Sequence, residues 1–312
     1  MTLTEFTGIW EEIEEGKSVS IQRRVNSMHP LNIFFGYDSI GKREFIVVTE
    51  IKPELKLKSA AIDIKIGSRK DNRFAVCFKL VEKRQEAVFV KLCWDLFEFT
   101  SDSLNELDGI NKIQNRFRIW QKLFDEGNDG LLSEQVIKGL IGELIFLKNY
   151  AFKQYGVEDA VNSWIGPYYS HKDFSFETNW YEIKTIAPSA RSITISSLEQ
   201  LASEETGYIY CMVIDKTSST AADRINLPSL INRIRNIADA NESAGIEFEN
   251  KLIEAGYIDT DEYYNYNYSF VECRKYIIDN KFPKLTGDNV DDAITEVKYK
   301  INLSSIGNWL VE

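Results

Sequence analysis

The fold of this chain can be inferred from residues 171–186, which read HKDFSFETNWYEIKTI. Successive side chains of a β-strand point to opposite faces of its sheet. In the second half of the segment, Glu182 and Lys184 therefore share one face, while Tyr181 and Ile183 point to the other. This alternation predicts a strand, and the residues before it predict a second strand beside it.

The two strands bring three charged residues together if they form a tight hairpin. We assume that Thr178–Asn179 are a two-residue loop, so that Ser175 pairs with Glu182. In the same register Asp173 pairs with Lys184. Directly opposed residues share a face and lie about 5 Å apart. The sequence therefore predicts that the two acids and the amine converge, whereas a slip of one residue would separate them.

A patch of this composition has a specific chemical use. Two neighbouring carboxylates repel each other unless a cation lies between them. Mg²⁺ binds a few carboxylate oxygens and leaves coordination positions for water and phosphate. It lowers the pKa of the bound water and polarises the phosphoryl oxygen. Lys184 could hold the attacking water and stabilise the developing negative charge. Asp173, Glu182 and Lys184 are therefore candidates for phosphodiester hydrolysis; the alternative is an ordinary amphipathic hairpin with solvated charges.

Composition sets wide limits on the rest of the chain. At 312 residues, with 44% hydrophobic and 27% charged residues, it has the make-up of a globular protein of about two domains. Residues 1–20 are acidic and lack the apolar segment of a secretory leader. No run approaches the ~20 apolar residues of a membrane span. The four cysteines have no zinc spacing, so we expect free thiols in the cytoplasm.

Charge is unevenly distributed along the chain. The net charge is −11, yet residues 17–91 contain 16 Lys/Arg and 8 Asp/Glu, a local balance of +8. The basic segment could bind a polyanion locally, although the net charge of the whole chain is negative. The alternative is scattered, solvated charge on strands.

Local patterns predict three regions: residues 1–103, 104–215 and 216–312. The first is β-rich, with two strands around a turn at Asp38–Gly41 and further strands at 60–67, 74–81 and 86–100. Helices are predicted at 104–124, at 134–155 with Ser133 as N-cap, near 198–203 and at 227–257. Strands are predicted at 160–165, 172–177, 180–186, 193–196 and 208–214, and two more follow the tyrosine-rich segment 263–268.

These segments resemble a known group of nucleases. KGLIGELIFL (138–147), WIGPYYSHKDFSF (164–176), YEIKT (181–185) and ITISSLEQL (193–201) resemble a bacterial family of PD-(D/E)XK motif proteins found near restriction-modification-like genes. The resemblance covers residues 133–215 well and the rest more loosely. It implies an α/β (α+β) fold, with a β-rich N-terminal region, a restriction-endonuclease-like αβββαβ core and a helical C-terminal part. Lys172 stands where the family name has proline, a change that we expect to matter little.

The resemblance implies further site residues. Glu143 corresponds to the acidic residue of the first core helix and would join Asp173 and Glu182 as a metal ligand. It also lies at the polar border of that helix's apolar stripe. Gln200 falls where such nucleases often have a polar residue, and Ser196 and Ser197 could cap the helix after the E-x-K strand. For Glu143, Gln200 and the two serines, the alternative is a solvated side chain without a role in the site. His171 is expected to serve local structure.

The function implied is a Mg²⁺-dependent DNA endonuclease, with Mn²⁺ as a second suitable ion, in restriction or phage defence. Double-stranded DNA is the expected partner, with restriction-modification-like proteins as further partners. A homodimer would supply two cutting sites by two-fold symmetry. The alternatives are a non-catalytic DNA-binding or scaffold subunit on the same fold, and a nuclease acting on RNA.

Overall fold

The chain folds into two compact units, Met1–Leu131 and Leu132–Glu312, each with its own β-sheet. The computed structural model describes residues 3–15, 22–38, 40–59, 61–81, 85–125, 132–168, 170–291 and 293–311. Both units combine helices with strands, so the mixed α/β (α+β) class is confirmed. The predicted boundaries at 103/104 and 215/216 remain predictions.

The first unit is a five-stranded antiparallel sheet with helices packed on it. Its strand order is β1-β2-β3-β5-β4. The predicted hairpin is confirmed, because the Asp38 N–H donates to the Lys42 carbonyl at 2.9 Å between the second and third strands. Trp10 of the first helix stacks on Phe35 with ring centroids 3.9 Å apart, which places that helix on the sheet. The elements are α1 (Leu3–Glu15), β1 (Gln22–Arg24), β2 (Asn32–Tyr37), β3 (Arg43–Thr49), β4 (Ile62–Ser68), β5 (Phe74–Leu80), α2 (Glu86–Phe99) and α3 (Glu106–Asp125).

The predicted strand over residues 86–100 is wrong, because this segment forms α2. Its β-branched and aromatic residues favour a strand by composition. The buried side chains, however, include Phe89, Cys93, Leu96 and Phe97. Their spacing of three and four residues is that of one helix face, and it outweighs the composition.

The second unit is built on a four-stranded mixed sheet of order β10-β9-β7-β6, in which β7 and β9 run parallel. A separate two-stranded sheet pairs β8 with β11. The predicted helix at 134–155 is confirmed, with Ser133 accepting from the Val136 N–H and one π-helical segment inside it. The elements are α4 (Glu134–Phe146), a π-helix (Leu147–Ala151), α5 (Phe152–Tyr155), α6 (Val157–Ser163), β6 (Phe174–Ser175), β7 (Asn179–Ile186), β8 (Ser192–Ile195), β9 (Thr206–Lys216), α7 (Leu227–Ala238), α8 (Glu242–Glu254), β10 (Tyr268–Ile278) and β11 (Tyr299–Asn302).

Two predicted elements between α4 and β9 are wrong. Residues 160–165 belong largely to α6 and not to a strand. Lys251 Nζ donates to the carbonyls of Val161 and Asn162 at the end of this helix, a long-range contact that local patterns cannot reveal. Residues 196–205 form turns and bends where a helix near 198–203 is predicted. The αβββαβ order therefore has turns in place of its second core helix.

The C-terminal part is helical and mixed, as predicted, and it contributes to the core of this unit. Tyr263 and Tyr268 are buried, so these two tyrosines pack inside the fold. Among the described residues, no helix is both long and apolar enough to cross a lipid bilayer.

Helix α4 approaches β7 closely because residue 142 is glycine. A methyl group at Gly142 would lie 1.9 Å from Thr185 Oγ1 and 3.5 Å from Ile183 Cγ2. We therefore expect Gly142→Ala to lower the free energy of unfolding by about 1–3 kcal/mol and to move α4 away from the sheet. Chemical denaturation measures this change.

Gly139, one turn earlier on α4, is the matched control. Nothing lies within 4 Å of a methyl group there, so Gly139→Ala is expected to stabilise the protein through helix propensity, by up to about 1 kcal/mol. Thr185→Ala removes the clashing hydroxyl and should restore much of the stability lost in Gly142→Ala. Equal stability of the two glycine variants would contradict this account of the packing.

Candidate active site

The hairpin of β6 and β7 differs from the predicted one by the position of its loop. Ser175 pairs with Trp180, and the Phe176 N–H donates to the Asn179 carbonyl at 2.9 Å. The predicted pairing of Ser175 with Glu182 is therefore wrong. A two-residue loop that moves by one position changes the partner of each residue by two, so the side-chain faces stay the same.

Asp173, just before β6, is fixed by backbone hydrogen bonds on both sides. Its carbonyl accepts from the N–H groups of Ile165 and Gly166 at 2.8 and 2.9 Å. Its carboxylate Oδ2 accepts from the Ile183 N–H at 2.6 Å. These bonds hold Asp173 against β7, beside the strand position that carries Glu182.

Glu182, in the middle of β7, is only 2% exposed. Its Oε1 lies 2.7 Å from Lys184 Nζ and accepts from Gln200 Nε2 at 3.1 Å. Its Oε2 is buried without a hydrogen-bond partner. An unpartnered carboxylate oxygen in the interior is costly, which makes this atom the clearest candidate for a ligand of a bound cation.

Glu143 reaches the same region from α4. Its Oε2 accepts from Trp164 Nε1 at 2.7 Å. A methyl group at Gly166 would lie 3.1 Å from this oxygen and 3.2 Å from Asp173 Oδ1. The two carboxylates therefore border the same space, and glycine at 166 keeps it open.

The three carboxyl groups share one electrostatic environment that disfavours their charged forms. Burial, followed by the charge of the neighbouring Asp173, raises the pKa of Glu182 to about 8. Burial also raises the pKa of Asp173 to about 6. The pKa of Glu143 is raised well above its ordinary value by burial and then by the charges of Asp173 and Glu182. The positive charge of Lys184 lowers the pKa of all three carboxyl groups, but this effect is smaller than that of burial.

Gln200 is brought to the site by a turn. Its Oε1 accepts from the Ser196 N–H at 2.7 Å, while its Nε2 donates to Glu182. The helix that Ser196 and Ser197 are predicted to cap is replaced by this turn, so the capping prediction is wrong. His171 is exposed at the surface.

The structure thus brings the predicted residues into one neighbourhood, although they do not form a finished cage of ligands. Glu182 contacts Lys184 and Gln200, Asp173 contacts the β7 backbone, and Glu143 contacts Trp164. Within the described ranges, no three His, Cys, Asp or Glu side chains are grouped closely enough to hold a metal ion. Their donors are nevertheless hard oxygens with a surplus of negative charge, which fits Mg²⁺ or Mn²⁺.

Sequence reasoning missed two residues that support the site. Trp164 fixes Glu143 through its indole N–H. Lys172, whose replacement of proline we expected to matter little, donates to the backbone of the turn that carries Gln200. Neither residue has a local signal, because both act through contacts between segments distant in the sequence.

Comparison with known families identifies the chain. A search of curated proteins and a search of solved structures each gave no match. One family model, described as "Putative PD-(D/E)XK family member, (DUF4420)", matches residues 6–304. Since this match extends over nearly the whole chain, the protein belongs to this PD-(D/E)XK family, whose description indicates a nuclease-like fold.

Proposed function

We propose that this protein is a divalent-metal-dependent endonuclease that hydrolyses phosphodiester bonds in DNA. The observation that supports it most strongly is the ion pair of the buried Glu182 with the partly exposed Lys184, beside Asp173. An acid with an unpartnered oxygen and a neighbouring amine are what metal-assisted hydrolysis requires. The PD-(D/E)XK family membership supports the same conclusion.

Asp173, Glu182 and Glu143 would hold the ion, which we propose is Mg²⁺, with Mn²⁺ able to replace it. All three are carboxylates whose negative charges oppose one another across a small space. A bound divalent ion supplies positive charge to this space and acidifies a coordinated water. The backbone bonds of Asp173 and the indole bond of Glu143 keep these side chains in place for binding.

Lys184 and Gln200 would act on the reacting groups and on Glu182. The Lys184 side chain is 16% exposed, and its Nζ lies 2.7 Å from Glu182 Oε1. It can donate to a water near the scissile phosphate and stabilise negative charge that develops there. Gln200 orients the Glu182 carboxylate through its amide.

The substrate proposal is double-stranded DNA, in restriction or phage defence. The basic segment 17–91 could contact phosphates, and Arg24 is exposed on β1. Several basic residues of the segment form ion pairs, for example Arg23 with Glu12 and Arg73 with Asp71. A homodimer would supply two sites for the two strands. Association with restriction-modification-like proteins is part of the same proposal.

A non-catalytic DNA-binding or scaffold subunit is a second candidate. It is favoured by one observation: in the part of the chain that the structure describes, the acidic residues are not grouped as a ready metal cage. This candidate predicts DNA binding that is independent of metal and of Asp173.

Cleavage of methylated and unmethylated plasmid DNA, with Mg²⁺ or with EDTA, tests the enzyme proposal. We expect nicked or linear products with Mg²⁺ alone, and a loss of at least about a thousandfold in Asp173→Asn, by analogy with the loss of other central catalytic groups. Glu177→Gln, at an exposed position in the hairpin loop, is the control and should cleave normally. The same cleavage assay on RNA duplexes of matched sequence shows whether the protein cleaves DNA or RNA. If wild type and Asp173→Asn bind DNA equally and neither cleaves it, the subunit alternative is correct.

A further inference from the structure

Lys172 makes a set of contacts that its place in the sequence does not suggest. Its Nζ donates to the backbone carbonyls of Glu199, Gln200 and Ala202 at 2.6, 2.8 and 2.9 Å. The same ammonium lies 4.1 Å from the centre of the Trp180 ring, within the range of a cation–π interaction. Three carbonyls of one short turn thus converge on a single lysine.

These contacts use the whole hydrogen-bonding capacity of the side chain. A lysine ammonium has three N–H donors and no acceptor. All three donors of Lys172 point to backbone carbonyls, so the group is committed to the protein and is not aimed at a ligand. Lys172 is therefore not suited to bind a substrate phosphate, in contrast to Lys184.

The turn held by Lys172 carries the side chain that contacts the central acid. Gln200 donates to Glu182 Oε1 at 3.1 Å and accepts from the Ser196 N–H at 2.7 Å. This segment lacks the regular hydrogen bonds of the helix that is predicted here, so its shape depends on other contacts. Lys172 also directly precedes Asp173 in the chain, which connects the turn to the second acid.

We propose that Lys172 is a positioning residue that holds the 199–202 turn and thereby places Gln200 on Glu182. The inference depends on the proposed nuclease function only for its consequence in catalysis. The hydrogen bonds from Lys172 fix this turn, which lacks the hydrogen bonds of a helix. The aliphatic stem of Lys172 places the ammonium next to the Trp180 ring and the three carbonyls. If Lys172 only stabilised the fold in general, its substitution would not change the position of the Gln200 side chain in particular.

Hydrogen exchange of the Ser196 amide, followed by NMR, tests the positioning without any need for activity. This amide is bonded to Gln200 Oε1, so its exchange rate reports where the Gln200 side chain lies. We expect exchange at least about tenfold faster in Lys172→Met and in Gln200→Ala. Lys153→Met, an exposed lysine in α5, should leave it unchanged.

The Ile209 amide, in the central strand β9, serves as the internal reference for overall stability. Its exchange should be the same in all four proteins. If Lys172→Met does not fold, Lys172→Gln retains a donor and a shorter stem and is measured in its place. Normal Ser196 protection in a folded Lys172 variant overturns the proposal.

A double-mutant cycle on Mg²⁺-dependent DNA cleavage then tests the catalytic consequence. Changing a residue that orients a metal ligand typically costs 10–100-fold in affinity or activity, so each of Lys172→Met and Gln200→Ala should lower kcat about tenfold. The double variant should be no slower than the slower single variant, because both changes remove the same contact.

KM for DNA and its salt dependence should stay unchanged in Lys172→Met, since a phosphate-binding lysine would alter both. A roughly hundredfold loss in the double variant, or a raised KM in Lys172→Met, contradicts the proposal. If the wild-type protein cleaves no DNA under any condition, the nuclease proposal fails, and the exchange measurement still decides whether Lys172 positions Gln200.

Discussion

Lys184→Met is expected to lower the rate of DNA cleavage by about 10²–10³-fold, the usual loss when one donor to a developing negative charge is removed. Lys184 Nζ lies 2.7 Å from Glu182 Oε1, and the Lys184 side chain is partly exposed. Methionine keeps the length and the apolar stem but removes the charge and the donors. Single-turnover cleavage of a DNA duplex under saturating Mg²⁺ measures the effect.

Binding of the metal ion should survive this substitution. The Lys184 ammonium does not bind Mg²⁺, and it competes with the ion for the Glu182 carboxylate. Lys184→Met is therefore expected to bind Mg²⁺ at least as tightly as wild type. Lys153→Met is the matched control and should cleave at the wild-type rate. Normal cleavage by Lys184→Met, or loss of metal binding together with cleavage, would show that the role assigned to Lys184 is wrong.

Glu182→Gln is expected to stabilise the metal-free protein while abolishing cleavage. Burial raises the pKa of Glu182 to about 8 in the folded protein, so folding disfavours its carboxylate relative to the unfolded chain. The free energy of unfolding therefore falls as the pH rises from the ordinary carboxyl pKa toward 8. Glutamine is uncharged at every pH and removes this loss.

The expected gain near pH 7.5 is roughly 1–2 kcal/mol, equivalent to a few degrees in Tm for a domain of this size. Asp173, whose pKa is about 6, is charged at pH 7.5 and keeps a favourable interaction with Lys184 in the variant. Thermal melts in EDTA at pH 5 and pH 7.5 test the effect, which should shrink at the lower pH. Glu177→Gln is the control, and a lower Tm for Glu182→Gln at pH 7.5 would contradict this account.

The alternating pattern of residues 171–186 was sufficient to predict the central hairpin and its charged face. The loop position was wrong by one residue, because turn type depends on backbone details that Glu177, Thr178 and Asn179 do not specify strongly. The error did not separate Asp173 from Glu182, since the pairing shifted by two residues and the side-chain faces were kept. To predict that Asp173 and Glu182 lie close together, it was enough to assign their side chains to the same face of the sheet. The exact register of the two strands mattered less.

Elements whose form depends on distant contacts could not be predicted from local patterns. The segment 86–100 has the composition of a strand, and only its burial against the rest of its unit shows the helical spacing. Lys172 donates to carbonyls of the turn at 199–202, and Lys251 donates to carbonyls at the end of α6. Glu143 was predicted through its family resemblance, whereas its partner Trp164 has no motif of its own.

Calorimetric titration with MgCl₂ tests most directly whether the buried acids form a divalent-cation site. Four proteins are compared: wild type, Asp173→Asn, Glu182→Gln and the surface control Glu177→Gln. We expect saturable binding by wild type and the control, and affinity at least about tenfold weaker in the two site variants. Absence of saturable binding by wild type, or equal affinity in all four proteins, would contradict a metal site at Asp173 and Glu182.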